Sequence, residues 1–277
     1  MSQISSESRR LAYNQLQKYI NHGTFNKSKC DSIYISIEGN IGVGKTFLTE
    51  EIGKIIPEKY NEKCVIIKEE VNLDWLGAFI DNPLKHAGLF QIKRLCSTIN
   101  AVNKMGIEME IHQKYGSTVH CIGDRLPLGN FAFALVHHSM GNVDDEFFDL
   151  YGAALADGGP YIYPDIVLLL VKPDITLERI KKRDRKGESS YTIDYLEKLD
   201  EANLFTILCM IISKVINIYP VIWDEFGNTD DVLKLIKKRS FVLPMRLQKE
   251  IRETIFCMKY ERMREIMYEI ANLYQEL

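Results

Sequence analysis

The string Gly39-Asn40-Ile41-Gly42-Val43-Gly44-Lys45-Thr46 constrains this chain more than any other stretch. It follows the apolar run 33–37 and opens a helical pattern through Phe47, Leu48 and Ile52. Glycines at its first, fourth and sixth positions permit φ above zero and turn successive N–H groups inward, so the loop binds anions through its backbone. Lys45 adds a point charge for the β and γ phosphates and Thr46 a hydroxyl for Mg²⁺. The helix that follows directs its positive dipole end at the same spot. A G-x-x-x-x-G-K-T string between a strand and a helix therefore reads as a nucleotide phosphate cradle.

The remaining pattern alternates strand and helix. Strands are predicted over 33–37, 63–71, 118–122, 166–171 and 221–223, with helices between them, two of which break around Asp81-Asn82-Pro83. A helix is predicted over 192–218, with a charged, lid-like turn at 183–190 before it. This alternation predicts an α/β fold of the P-loop kinase type, a five-stranded parallel sheet covered by helices on both faces. A leader helix over 8–21 reads as lying outside the catalytic unit. The stretch 246–277, with Ile251, Ile255, Met258, Met263, Ile266, Met267 and Ile270, reads as one long amphipathic helix or two, whose Met-rich stripe is a packing face or a dimer surface. The division is 1–30 leader, 31–240 P-loop domain and 241–277 helical extension.

Composition narrows the partners. A net charge of -3 gives no bulk case for nucleic-acid polymers or anionic membranes, whereas monomeric nucleotides stay open as ligands. The six cysteines are scattered without a C-x-x-C pair, mostly inside apolar runs, which predicts reduced core thiols in a cytoplasmic, intracellular protein. No apolar run approaches transmembrane length. The histidines lack ligand spacing, so no metal beyond Mg²⁺ carried with ATP is expected.

Three further clusters indicate phosphoryl transfer. Glu69 and Glu70 end the second strand, Asp124-Arg125 ends the third, and Arg179, Arg183, Arg185 and Glu188 sit in and before the lid-like turn. Such transfer is mostly positioning and charge neutralisation, and a cradle, Mg²⁺, arginines and one carboxylate base complete the set. Gln91 both donates and accepts, which suits a base edge, and Trp75 either lines a base pocket or fills core.

In this order the clusters resemble the deoxynucleoside kinase family, which includes herpesvirus thymidine kinase and the cellular deoxycytidine, deoxyguanosine and insect multisubstrate kinases. Ile37-Glu38-Gly39-Asn40-Ile41-Gly42 is similar to the family's cradle, and Lys68-Glu69-Glu70-Val71 with Trp75 to its P-E-P-V strand end and substrate-packing tryptophan. Phe90-Gln91 resembles the pair whose glutamine bonds the base. Asp124-Arg125-Leu126-Pro127 resembles the viral D-R-H-P element, 179–188 the lid, and Tyr195-Leu196-Glu197-Lys198-Leu199 the segment after it. The resemblance implies that Glu69 accepts the proton of the nucleoside 5′-hydroxyl, with Glu70 the competing candidate, as that hydroxyl attacks the γ phosphate of ATP. It implies that Arg125 holds the 5′-oxygen, Asp124 the metal shell with Thr46, Arg183 and Arg185 the γ phosphate, and Glu188 the sugar 3′-hydroxyl. It also implies a homodimer.

Three positions depart from the pattern. The tyrosine that contacts the 3′-hydroxyl in cellular members falls on Ile80. The arginine accompanying purine or cytosine selectivity falls on Thr98, and its aspartate partner on Asn130. Loss of that charged pair predicts thymidine or a broad pyrimidine range. The competing readings are a thymidylate-type nucleoside monophosphate kinase, which should carry cations where this chain has Glu69 and Glu70, and a non-catalytic structural relative of the same superfamily.

Overall fold

The computed structural model describes residues 3–22, 32–69, 72–158, 163–185, 188–214, 216–238 and 243–275. In chain order the elements are α1 (Ser6–His22), β1 (Tyr34–Glu38), α2 (Lys45–Tyr60), β2 (Lys63–Ile67), α3 (Leu73–Asp81), α4 (Pro83–Lys114), β3 (Val119–Asp124), α5 (Pro127–Ser139) and α6 (Asp145–Asp157). They continue as β4 (Asp165–Leu170), α7 (Pro173–Arg183), a 3₁₀ turn at Glu188–Ser190, α8 (Ile193–Ser213), β5 (Ile218–Ile222), α9 (Thr229–Lys238), α10 (Met245–Thr254) and α11 (Tyr260–Gln275).

The five strands form one sheet in the order β2-β3-β1-β4-β5, every pair parallel. β1 is central, with Ile35 beside Ile122 of β3 and Asp165 of β4. Both central strands are buried along nearly their whole length, and β4 reads Ile-Val-Leu-Leu-Leu after Asp165, the continuous apolar run of a strand covered on two faces. α2 crosses β1, β2 and β3 and meets α9, while α4 and α11 reach the sheet from the layer that also holds α5 and α8. The carboxyl ends of β1, β2 and β3 carry the cradle, Glu69 and Asp124-Arg125, so parallel topology brings residues distant in sequence to one edge.

Local chemistry sets the boundaries. Asn72 caps α3 by accepting from the N–H groups of Asp74 and Trp75, both at 3.1 Å. Pro83 opens α4, where its missing N–H costs no helical bond. The helix predicted over 192–218 ends at Ser213, because Lys214 takes a left-handed cap with φ 56°. Asn217 then donates from its backbone and side chain to Asp165, both at 2.9 Å, which starts β5 at Ile218 rather than at Val221. Pro220 is tolerated there because β5 is an edge strand.

The terminal helices do not stand apart. Ala12, Leu16, Tyr19 and Ile20 of α1 pack on α6, α8 and α5 within the main hydrophobic cluster. Arg9, only 2% exposed, pairs with Glu201 of α8 and donates to the carbonyl of Met258 at 2.7 Å. The C-terminal stretch is two helices, and its Met-rich stripe (Met258, Met263, Ile266, Met267, Ile270) is buried in the same cluster. That stripe is therefore covered by its own chain and is not a dimer surface. The boundaries expected at 30/31 and 240/241 fall outside the described residues. Among the described cysteines, Cys121 and Cys209 are buried and Cys64 half-buried, but Cys96 and Cys257 are exposed rather than core thiols. Among the described residues, no helix is long and apolar enough to cross a membrane.

Candidate active site

The cradle begins where β1 ends. Gly39, Gly42 and Gly44 have φ of 137°, 75° and 101°, and a Cβ on Gly39 would lie 2.8 Å from the Leu169 carbonyl, so both backbone hand and space require glycine there. Asn40 braces the loop, donating to the Leu196 carbonyl of α8 at 2.8 Å and accepting from the Ile41 N–H at 2.8 Å. Lys45 donates back to the Asn40 carbonyl at 2.6 Å. Burial, then the nearby Arg125 charge, lowers its ammonium to about 8, against the pull of Asp124, Glu69 and Glu38. Arg179 donates to the carbonyls of Val43, Trp223 and Asp224 at 3.1, 3.0 and 2.7 Å, and its guanidinium lies 4.5 Å from the Phe226 ring centre. It thereby ties the cradle to the loop after β5.

At the end of β3, Asp124 accepts from the Thr46 hydroxyl at 2.5 Å. Its other oxygen, Oδ1, is buried without a hydrogen-bond partner. Burial, reinforced by Glu69, raises the Asp124 carboxyl although Lys45, Thr46 and Arg125 oppose it. A lone buried carboxylate oxygen beside a hydroxyl is the hard oxygen set that suits Mg²⁺, so Asp124 and Thr46 fit that ion. Arg125 is a non-glycine residue at φ 57°, a costly conformation that clusters at functional sites. That backbone directs its side chain under the cradle, where Nη2 donates to the Gly39 carbonyl at 3.0 Å and the guanidinium lies 4.7 Å from the Phe133 ring centre.

Glu69, just beyond β2, is the hub between cradle and cavity. Its Oε1 accepts from Arg94 of α4 and lies 3.3 Å from Arg125 Nε. Burial alone would push Glu69 up, but Arg125, then Arg94, Lys45 and Arg185, outweigh it and hold the carboxyl below its usual range. Glu70 lies outside the described residues.

These groups open into one cavity of about 600 Å³. Ile41, Gly42, Gly44, Lys45, Thr46, Arg179 and Phe226 line its cradle side, and Arg183, Arg185 and Glu188 its lid. Leu76, Phe79, Phe90, Gln91, Arg94, Asn130 and Phe133 form an apolar slot with polar groups at intervals. Phe79 and Phe90 are stacked with planes 2° apart and centres 4.7 Å apart. Gln91 is 1% exposed, and its Nε2 is buried without a hydrogen-bond partner.

The structure thus brings Lys45, Thr46, Glu69, Gln91, Arg125, Asn130, Arg179, Arg183, Arg185 and Glu188 into one crevice. Asp124 joins through Thr46. Glu188 accepts from Arg183 Nε and Nη2 at 3.1 and 2.7 Å, with Arg185 3.6 Å away, so the lid acid and both lid arginines are paired with one another. Trp75 does not line the cavity: it is half-buried with the Lys93 ammonium over its ring, and Leu76 and Phe79 point inward instead. Ile80 and Thr98 are also absent from the lining; Thr98 supports Asn130, accepting from its Nδ2 at 3.0 Å. Sequence reasoning missed Arg94 and Tyr191, both lining residues. For Arg94 a signal existed, since it follows Gln91 by three positions on one helix and so shares its face.

Comparison with known proteins agrees with this geometry. The family model described as deoxynucleoside kinase matches residues 35–238. A deoxyadenosine kinase of Dictyostelium discoideum is 27% identical over 217 residues, covering 78% of this chain and 82% of that protein. A deoxyguanosine kinase of the same organism is 29% identical over 221 residues, covering 79% and 73%. Among solved structures, deoxyadenosine kinase from M. mycoides with bound dCTP superposes with a TM-score of 0.57 at 20% identity, over 75% of this chain and 99% of that one. Its complex with dATP gives 0.56 at 21% identity, over 75% and 98%. At such identity the likeness shows the fold.

Proposed function

Because the chain belongs to the deoxynucleoside kinase family and is thus a deoxynucleoside kinase, we propose that it transfers the γ-phosphoryl group of ATP to the 5′-hydroxyl of a deoxynucleoside, with Glu69 as the base. One observation carries this reading: the carboxylate hub Glu69 and the cradle lysine share a single crevice, joined through Arg125, which touches both the Gly39 carbonyl and Glu69.

The donor's phosphates lie in the loop 39–46, held by backbone N–H groups and Lys45. Asp124 and Thr46 are the residues that would hold Mg²⁺, which when bound would offset phosphate charge. Glu69, ionised at neutral pH, accepts the hydroxyl proton. A carboxylate held this low is a weak base, which suffices for a loose transition state that asks little of the nucleophile. Arg125 steadies the 5′-oxygen, and Arg183 and Arg185 turn from Glu188 to the moving phosphoryl as the lid closes. Glu188, released, accepts the sugar 3′-hydroxyl. Gln91 and Asn130 face the base between the Phe79 and Phe133 walls.

The thymidine or pyrimidine preference expected from Thr98 and Asn130 finds no support in the similar proteins, which are a deoxyadenosine and a deoxyguanosine kinase. A nucleoside monophosphate acceptor is disfavoured because Glu69 stands where a second phosphate would lie. The test is phosphate transfer to each of the four deoxynucleosides and to dTMP, with Glu69→Gln alongside. The expectation is turnover of nucleosides, a fall in kcat of about 10²- to 10⁴-fold in Glu69→Gln, and unchanged ATP affinity. Transfer to dTMP alone, or full activity in Glu69→Gln, overturns the reading.

A further inference from the structure

We infer that Glu38 is the positioning residue that holds Arg125 in its left-handed conformation and so keeps the guanidinium at the 5′-oxygen during transfer. The inference rests on the kinase reading above, which places Arg125 at that oxygen.

Glu38 is the last residue of β1, and the mechanism gives it no part although it is an acid only 2% exposed. A buried carboxylate is costly unless it is bonded or paired, so its partners show what it is kept for. Oε1 accepts from the Leu126 N–H at 2.9 Å and from the Ser36 hydroxyl. Leu126 follows Arg125, so this bond fixes the peptide on one side of the strained residue. The N–H of Arg125 itself donates to the Ile37 carbonyl at 3.2 Å, which fixes the peptide on the other side. Both flanking peptides of Arg125 are thus tied to consecutive residues of β1. A non-glycine φ of 57° persists only where its surroundings over-determine it, and these two bonds do so. The Ile37 bond is backbone to backbone and depends on no side chain. The Leu126 bond depends on Glu38.

Packing and charge act in the same direction. α5 passes Glu38 at Gly129, where a Cβ would collide with Glu38 Oε2 and lie 2.8 Å from Arg125 Cγ. The carboxylate and the arginine stem therefore press on one spot of α5, and glycine leaves room for both. Oε2 has no hydrogen-bond partner and neither has Arg125 Nη1, so the attraction between the two groups is electrostatic and not a direct bond. Burial pushes the Glu38 carboxyl up to about 6, and the Arg125 charge is the largest influence opposing that rise. Glu38 accordingly stays ionised at neutral pH. Once Glu69 takes up the hydroxyl proton it no longer offsets the charge of Arg125. Glu38, which does not line the cavity, still does.

The test separates charge from hydrogen bond and asks whether both act through Arg125. Glu38→Gln keeps the size and an acceptor for the Leu126 N–H but removes the charge, and Glu38→Met removes both. Each is assayed for kcat and KM with ATP and a deoxynucleoside, alone and combined with Arg125→Met. The expected fall in kcat is about fivefold in Glu38→Gln and about 30-fold or more in Glu38→Met, with KM for ATP unchanged within about twofold. In the Arg125→Met background neither substitution should lower kcat further by more than about twofold, because the group they act through is gone. Losses that multiply in that background, or a KM for ATP that rises as kcat falls, would mean that Glu38 serves the cradle or the fold at large, and overturn the proposal. Unchanged kcat in Glu38→Met overturns it too. If Glu38→Met fails to fold, the isosteric Glu38→Gln carries the same test. Full activity in Arg125→Met alone would instead remove the reading of Arg125 on which the proposal rests.

Discussion

Replacing Gln91 by Met should make the empty protein more stable and the enzyme worse. Nε2 of Gln91 is buried with no hydrogen-bond partner, and the side chain is only 1% exposed, so the free protein carries the desolvation cost of an amide donor. Such an orphan costs about 1–3 kcal/mol. Met has nearly the same length and shape and adds no donor, so that cost is removed with little change in packing. The melting temperature should rise by roughly 2–4 °C for each kcal/mol recovered. Turnover moves the other way. Gln91 both donates and accepts, and losing both contacts to the base removes about 2–4 kcal/mol of transition-state binding, a fall of roughly 30- to 900-fold in kcat/KM. Calorimetry of the unliganded variant and steady-state kinetics on one preparation measure both quantities. A lower melting temperature together with unchanged kcat/KM would show that Gln91 is a core residue serving the fold, and the base-recognition argument would fail.

Two further outcomes are expected. Because burial lowers the Lys45 ammonium to about 8 in the free protein, ATP binding should be full below that pH and weaken by up to about tenfold per pH unit above it, where an ordinary lysine stays charged to about 10.4. Titration calorimetry at pH 7, 8.5 and 9.5 measures this; an affinity flat across that range contradicts it, and Lys45→Arg should hold constant throughout. Arg9→Met strands Glu201 in the interior and should cost about 3–5 kcal/mol in urea unfolding, with much of the loss recovered in Arg9→Met/Glu201→Leu. A variant within about 0.5 kcal/mol of the parent would mean that α1 is not integral to the folded unit.

The cradle and the strand–helix alternation were legible because both are local: a glycine spacing and a hydrophobic period need no knowledge of the rest of the chain. The carboxylates and arginines at strand ends were legible for a related reason, since parallel topology carries those ends to one edge. What escaped depended on pairing across distance. Arg94 meets Glu69 from 25 positions away, and an arginine on a long polar helix ordinarily reads as solvated. Trp75 was placed against the substrate only through the family resemblance, and the phase of α3 turns Leu76 and Phe79 inward instead. The end of α8 depended on a left-handed Lys214 and on the Asn217–Asp165 bonds, neither visible in helical periodicity. The Met-rich stripe was recognised as a packing face, yet only the fold shows that its own chain fills the opposite side.

The crevice is electrically opposite to the body that contains it. Among the described residues, seven cationic side chains line it against two carboxylates, while the whole chain carries a net charge of -3. Low-dielectric walls focus such a local excess outward through the mouth, drawing in small polyanions and speeding their capture at low ionic strength. The same layout favours small polyanions that can enter the crevice mouth, because the cationic excess is confined to the cavity lining rather than spread over the chain.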